Sequence, residues 1–236
     1  MQITDEWLKD EALQDVLKAM HPAQVAGGAV RNAIMGMEPK DIDIATELTP
    51  QEVWAKATAA GFKCYNTGID HGTVTVVANG KSFEVTTLRI DAETDGRHAV
   101  IKFTKDWKED AARRDFTFNA MYCDADGNVT DYFNGIDDAK NRIVRFVGKP
   151  EERIEEDYLR ILRYFRFLGQ YGQNHGIMDS ADYQACYLHC GMLSEISAER
   201  IREEMIKIVT GPNLKVIEFM IRGMIVPHIT GTDIDN

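Results

Sequence analysis

Two aspartates one residue apart, Asp41-Ile42-Asp43, follow a pair of glycines, Gly27-Gly28, by little more than a dozen positions. In an extended strand successive side chains alternate between faces, so Asp41 and Asp43 share one face while Ile42 and Ile44 turn the other way into a core. Neighbouring carboxylates repel unless a cation sits between them. Mg²⁺ takes one or two such ligands and completes its shell with water and substrate phosphates. Gly27 and Gly28 let backbone N–H groups come close to an anion, and the short helix expected over residues 29–35 aims its positive end at the same place. Each feature alone has an ordinary reading, a turn and an exposed strand edge. Together, in this order, they place a phosphate site beside a metal site in which Asp41 and Asp43 hold Mg²⁺.

Two further constellations follow. The string Arg113-Arg114-Asp115-Phe116-Thr117-Phe118-Asn119-Ala120 sets two guanidinium forks, suited to triphosphate oxygens, beside Asp115 and Asn119, which can bond ribose hydroxyls. Its plain alternative is a helix start capped by Asp115 with solvated arginines. Over residues 155–168, helical spacing gathers Tyr158, Ile161, Leu162, Phe165 and Leu168 into one apolar stripe and leaves Asp157, Arg160 and Arg163 opposite. Asp157 and Arg160, three residues apart, can read the Watson–Crick edge of cytosine or adenine, or simply form a surface ion pair. Glu84 lies in a β-patterned run on one face with Thr86 and Leu88, and is either a third carboxylate beside Asp41 and Asp43 or a solvent-facing strand residue.

These strings resemble, in order, the five motifs of the family of tRNA CCA-adding enzymes and bacterial poly(A) polymerases, the class II nucleotidyltransferases. Gly27-Gly28-Ala29-Val30-Arg31 with Asp41-Ile42-Asp43 matches the first. The Arg113–Ala120 string matches the ribonucleotide-selecting motif, and Glu156-Asp157-x-x-Arg160 the motif that acts as a protein template for CTP and ATP. The segment from Asp131 through Gly148 resembles the family's hinge. Ser197-Ala-Glu-Arg200-Ile-Arg202-Glu-Glu-Met resembles a helix that braces the neck. The resemblance spans residues 25–209. It implies a polymerase beta-like nucleotidyltransferase head and two-metal transfer of C and A from CTP and ATP to the tRNA 3′ end. Asp41, Asp43 and Glu84 would be the catalytic carboxylates. Gly27, Gly28, Arg31, Arg114, Asp115 and Asn119 would bind the nucleotide and its phosphates, and Asp157, Arg160 and Arg163 would select the base. Asn32 stands where the family more often has Asp, and the expected consequence is a small change in how the glycine turn is held.

The elements needed to position these groups can be read from pattern. A first helix is expected over residues 6–19, a strand over 23–28, a helix over 29–36 and a strand over 41–45. Thr49-Pro50-Gln51-Glu52 is a capping box opening a helix to residue 60. Asn79-Gly80 between alternating runs signals a hairpin, and Asp126-Gly127-Asn128 a second. Residues 90–110 carry no sustained period and are expected to form a long irregular loop, of the kind that often serves as a functional lid. Past residue 133 the pattern is helical. The whole reads as an α+β head with a small mixed sheet and flanking helices over residues 1–138, an all-helical neck over 139–212 and the start of a helical body over 213–236.

Composition bounds the rest. The chain has 236 residues, 44% hydrophobic and 28% charged, enough for one large or two small cores, and no apolar run of membrane-spanning length. The acidic, amphipathic N-terminus lacks the form of a secretory signal, and four cysteines without a framework suit a reducing compartment, so a cytoplasmic location is expected. Cys186 and Cys190 share a helix face, but no second ligand pair accompanies them, and buried helix cysteines are expected rather than zinc. A formal net charge of −11 argues against wholesale coating of nucleic acid, although residues 140–170 are locally basic. Two other functions fit part of the pattern: a bacterial poly(A) polymerase, and a non-catalytic RNA- or nucleotide-binding module.

Overall fold

In the computed structural model, which describes residues 1–94, 99–173 and 176–230, the chain forms two compact units, Met1–Lys140 and Asn141–Asn236. The first helix is interrupted. A 3-10 turn over Glu6–Lys9 precedes α1 (Glu11–Ala19), because Asp10 leaves the helical region and accepts a hydrogen bond from Leu13 N at 3.2 Å, starting the helix afresh. Strand β1 (Ala23–Ala26) runs into the glycine turn and α2 (Gly28–Ile34), followed by β2 (Asp43–Thr46) and α3 (Pro50–Ala59). The capping box at Thr49 and Glu52 forms with both reciprocal bonds.

Next come β3 (Lys63–Gly68), β4 (Thr73–Ala78) and β5 (Lys81–Thr87), the last two joined by Asn79-Gly80, both at positive φ as a tight hairpin turn needs. After β6 (Arg89–Thr94) and β7 (Ala99–Phe103) come α4 (Trp107–Ala112), β8 (Met121–Cys123), β9 (Val129–Asp131) and α5 (Gly135–Lys140). Among the described residues seven strands form one mixed sheet in the order β3-β4-β5-β2-β1-β8-β9, with β2 and β5 parallel and the other neighbours antiparallel. Register sorts its faces. Val25, Ile44, Val85 and Val74 stand opposite one another in a fully buried row against α1 and α3. One residue along, Ala26, Asp43 and Glu84 form the adjacent row, on the other face.

Residues 90–110 are not the expected loop. They hold most of the β6–β7 hairpin, a separate two-stranded ribbon, and the start of α4; residues 95–98 lie outside the described residues. The two strands pair only with each other among the described residues, and Phe103 at the ribbon's end is exposed. Edge strand β3 was not expected either: Lys63, Tyr65 and Asn66 are exposed and Cys64 is only half-buried, so no alternation of buried residues marks it.

The second unit is helical: α6 (Pro150–Glu156), α7 (Leu159–Tyr171), α8 (Ala181–Leu188), α9 (Ala198–Val209), α10 (Lys215–Arg222) and α11 (Ile225–Thr230). The helix expected over residues 155–168 is broken at Asp157, which is extended (φ −158°, ψ 104°) and whose carboxylate accepts from Leu159 N at 3.1 Å, starting α7. Ile161, Leu162, Phe165 and Leu168 are buried as the stripe requires, with Tyr158 only half-buried at the break. Cys186 and Cys190 are buried free thiols pushed up in pKa by burial, and among the described residues no cluster of metal-ligating side chains includes them. Among the described residues no helix is long and apolar enough to cross a membrane.

Candidate active site

Strand β2 starts at Asp43, so Asp41 precedes the first paired residue instead of occupying the same strand, and Ile42 is half-buried while Ile44 fills the core. The two carboxylates remain close in effect. Asp43 is held above its ordinary pKa, first by partial loss of hydration, then by the charge of Glu84, its register partner on β5, and more weakly by that of Asp41. Arg114 pulls in the opposite direction. Asp41, Asp43 and Glu84 are all exposed, and among the described residues none of the three carboxylates accepts a hydrogen bond or forms an ion pair. The three do not converge into a ready-made three-ligand cage. Hard oxygen donors, open to solvent, two of which raise the proton affinity of the third, Asp43, fit a divalent ion that draws its remaining ligands from water and phosphate.

The glycine turn lies beside them. Gly27, at φ 67° and ψ −112°, has a backbone shape that L side chains rarely adopt, and a Cβ there would stand 3.0 Å from Arg114 Nη1 and 3.3 Å from the Asn119 carbonyl. Gly28 has no such constraint; a Cβ would meet only Arg31 Nη2, at 3.6 Å. The turn is therefore where the first and second constellations meet.

A continuous polar network extends from it. Arg31, 7% exposed, donates from Nη1 to Asn119 Oδ1 (2.6 Å) and from Nε and Nη2 to Asn32 Oδ1 (3.1 and 2.9 Å), with Phe118 under its guanidinium at 5.7 Å. Asn32 Nδ2 donates to the Glu38 carbonyl at 3.1 Å, in the loop leading to Asp41. Asn119 Nδ2 in turn donates to Asp115 Oδ1 (3.1 Å), which also accepts from Phe116 N (2.8 Å). Asp115 and Asn119 bond each other here, and Asp115 caps no helix: the 3-10 turn that follows, Thr117–Asn119, has Phe116 as its N-cap and no side-chain cap. The Asn32 amide does what a carboxylate cannot, accepting from Arg31 while donating to a carbonyl.

Asp110 is the residue that sequence reasoning missed. Its carboxylate is 1% exposed and accepts from both adjacent arginines, from Tyr122 and from the Arg89 backbone. Burial opposes its charge, but Arg114, Arg113 and the Tyr122 hydroxyl outweigh burial and bring its pKa down to about 2. The available signal was an acidic residue three and four positions before the two arginines on a helix.

In the second unit, Asp157 and Arg160 each bond other partners. Asp157 Oδ2 accepts from Arg200 Nη2 at 2.8 Å, whereas Arg160 Nη1 donates to Glu156 Oε2 (2.6 Å) and to the Arg153 carbonyl (2.9 Å). Glu156 is also paired with Arg153. Arg163 sits over the Phe167 ring at 5.7 Å. Helix α9 reaches α7 a second time through buried Glu204, which accepts from Arg166 at 3.2 Å.

Residues 23–145, just over half of the chain, match the family described as "Poly A polymerase head domain". The chain belongs to that family. Within it, this poly A polymerase head-domain protein is 46% identical over 214 residues to the mouse (Mus musculus) "CCA tRNA nucleotidyltransferase 1, mitochondrial", covering 90% of this chain and 49% of the relative. It is 41% identical over 203 residues to the CCA-adding enzyme of Lactobacillus helveticus, covering 85% and 49%. Among solved structures, the Bacillus stearothermophilus CCA-adding enzyme in complex with CTP superposes with a TM-score of 0.82 at 32% identity, covering 94% of this chain and 54% of that one. The chain thus spans about half the length of the curated relatives it matches. The head-domain nucleotidyltransferase fold with its mixed sheet and helices is the one expected from the motifs.

Proposed function

We propose that this chain carries the catalytic part of a template-independent tRNA nucleotidyltransferase, adding C and A residues from CTP and ATP to the tRNA 3′ end with release of pyrophosphate. The observation that carries the reading is that Asp43 stands opposite Ala26, the residue before the Gly27 turn against which Arg114 Nη1 lies, so that a metal-suited carboxylate and a phosphate-suited guanidinium flank one turn. The relatives' names and the bound CTP of the 32%-identical structure support it. In this reading residues 1–138 are the head, 139–212 the neck and 213–236 the start of a body.

Asp41 and Asp43 would hold Mg²⁺, with Glu84 as the third carboxylate. Bound there, the ion supplies charge compensation at the transferring phosphoryl group and lowers the pKa of the attacking hydroxyl. Arg114 and Arg31, with the backbone at Gly27 and Gly28, orient the triphosphate. Asp115 and Asn119 exchange their mutual hydrogen bond for ribose hydroxyls. Asp157 and Arg160 select the base, a carboxylate accepting from an exocyclic amine and a guanidinium donating to ring nitrogen or carbonyl, and Arg163 supports them. The four free cysteines fit a reducing compartment, which we read as the cytoplasm.

The test is incubation of the chain with a tRNA lacking its terminal CCA and each labelled nucleotide in turn, with Mg²⁺. Incorporation that stops after C, C and A is expected. An open-ended A tract identifies a poly(A) polymerase instead, and nucleotide binding without metal-dependent pyrophosphate release identifies a non-catalytic module.

A further inference from the structure

We infer that Asp110 is a positioning residue for triphosphate binding: without touching the nucleotide, it fixes the Arg114 guanidinium against the Gly27 turn and ties the root of the β6–β7 hairpin to the same point. The inference rests on the nucleotidyltransferase reading and deepens it.

The geometry is specific. Oδ2 of Asp110 accepts from Arg114 Nε (3.3 Å) and Nη2 (3.1 Å), and from the Tyr122 hydroxyl at 2.6 Å. Oδ1 accepts from Arg113 Nε at 2.9 Å and from Arg89 N, the first residue of β6, at 3.1 Å. With its Nε edge taken in this way, Arg114 has Nη1 left to face elsewhere. That atom points to the Asn119 carbonyl at 3.3 Å and stands 3.0 Å from where a Cβ at Gly27 would be. The Tyr122 ring lies under the guanidinium at 5.2 Å and fixes its plane.

An arginine on a flexible stem loses much of its rotamer freedom when it binds an anion, and a partner that orders it beforehand removes that cost from binding. Adjacent guanidinium groups also repel. One carboxylate between Arg113 and Arg114 lets both stay close while leaving a net positive charge for the ligand. Arg89 N extends the effect to the hairpin, so the ribbon and the phosphate-facing arginine are anchored by one side chain.

The experiment is a double-variant cycle on the full chain, with CTP affinity measured by titration calorimetry in Mg²⁺ and thermal melts run in parallel. Asp110→Asn is expected to weaken CTP binding about tenfold in the otherwise unchanged protein and less than about twofold in an Arg114→Ala background. Equal weakening in both backgrounds overturns the inference and leaves Asp110 as a fold staple. Unchanged affinity on Arg114→Ala alone shows instead that the triphosphate reading itself is wrong. Should Asp110→Asn fail to fold, Tyr122→Phe takes its place, removing one hydrogen bond from the same carboxylate. It is expected to weaken CTP binding about threefold, and not at all once Arg114 is Ala; no weakening, or the same weakening in both, overturns the inference.

Discussion

Asp43 is charged where charge is least welcome, partly dehydrated and next to Glu84 and Asp41. A folded-state pKa above the ordinary 3.8 means that the folded protein binds the proton more tightly than the unfolded chain, so metal-free stability falls as pH rises from about 4 through the raised value. Asp43→Asn is expected to remove that decline in metal-free melts while abolishing Mg²⁺-dependent incorporation; a variant that melts with the wild-type pH profile contradicts this. Protons and metal compete for the same oxygens, so divalent-ion affinity should drop as pH falls through the same range. Asp110 has the opposite sign. Its stabilising contribution is complete above the unfolded value of 3.8 and is lost as pH falls toward about 2. That difference corresponds to roughly 2 kcal/mol, and acid unfolding of Asp110→Asn compared with wild type measures it. Gly27→Ala forces a side chain into φ 67° and against Arg114 Nη1. A cost of about 1–3 kcal/mol in stability is expected, with CTP affinity falling as well; an unchanged melt and unchanged affinity would remove the turn from the site.

Among the elements, α9 carries more than its pattern suggested. It grips α7 through Glu204 on Arg166, and Asp157, two residues ahead of that helix, through Arg200. Arg200→Ala leaves Asp157 without its 2.8 Å partner, so discrimination between CTP and UTP should drop severalfold while the melt moves little, the pair being partly exposed. Glu204→Ala takes a buried carboxylate from the half-buried Arg166 and should cost about 3 kcal/mol in stability, read by denaturant unfolding. These links were not legible because the partners lie 38 and 43 positions apart. What was legible is what local physics determines: the capping box at Thr49, the Asn79-Gly80 turn, the buried stripe of α7. Where a side chain overrides the pattern, as Asp10 and Asp157 do by restarting helices, periodicity alone runs straight through the break.

At the scale of the molecule, the order of strands and helices and the mixed sheet followed from motif order, while β3, an edge strand, and the β6–β7 ribbon, whose strands pair only with each other among the described residues, did not. The candidate site was legible in its residue types but not in its wiring: the metal pair and the arginine string could be named, whereas Asp110 and the Arg31–Asn32–Asn119 network appear only once the fold brings them together. With a net charge of −11, CTP binding should outlast RNA binding as salt rises, because phosphate-backbone contacts lose affinity steeply with ionic strength. Everything functional turns on whether Asp41 and Asp43 bind a divalent ion next to a triphosphate. Mn²⁺, a paramagnetic substitute for Mg²⁺, reports this directly by electron paramagnetic resonance in the presence of CTP. Protein-bound Mn²⁺ is expected in the wild type and should be lost in Asp41→Ala/Asp43→Ala, with circular dichroism unchanged. Undiminished Mn²⁺ binding in that folded double variant would contradict the proposed site.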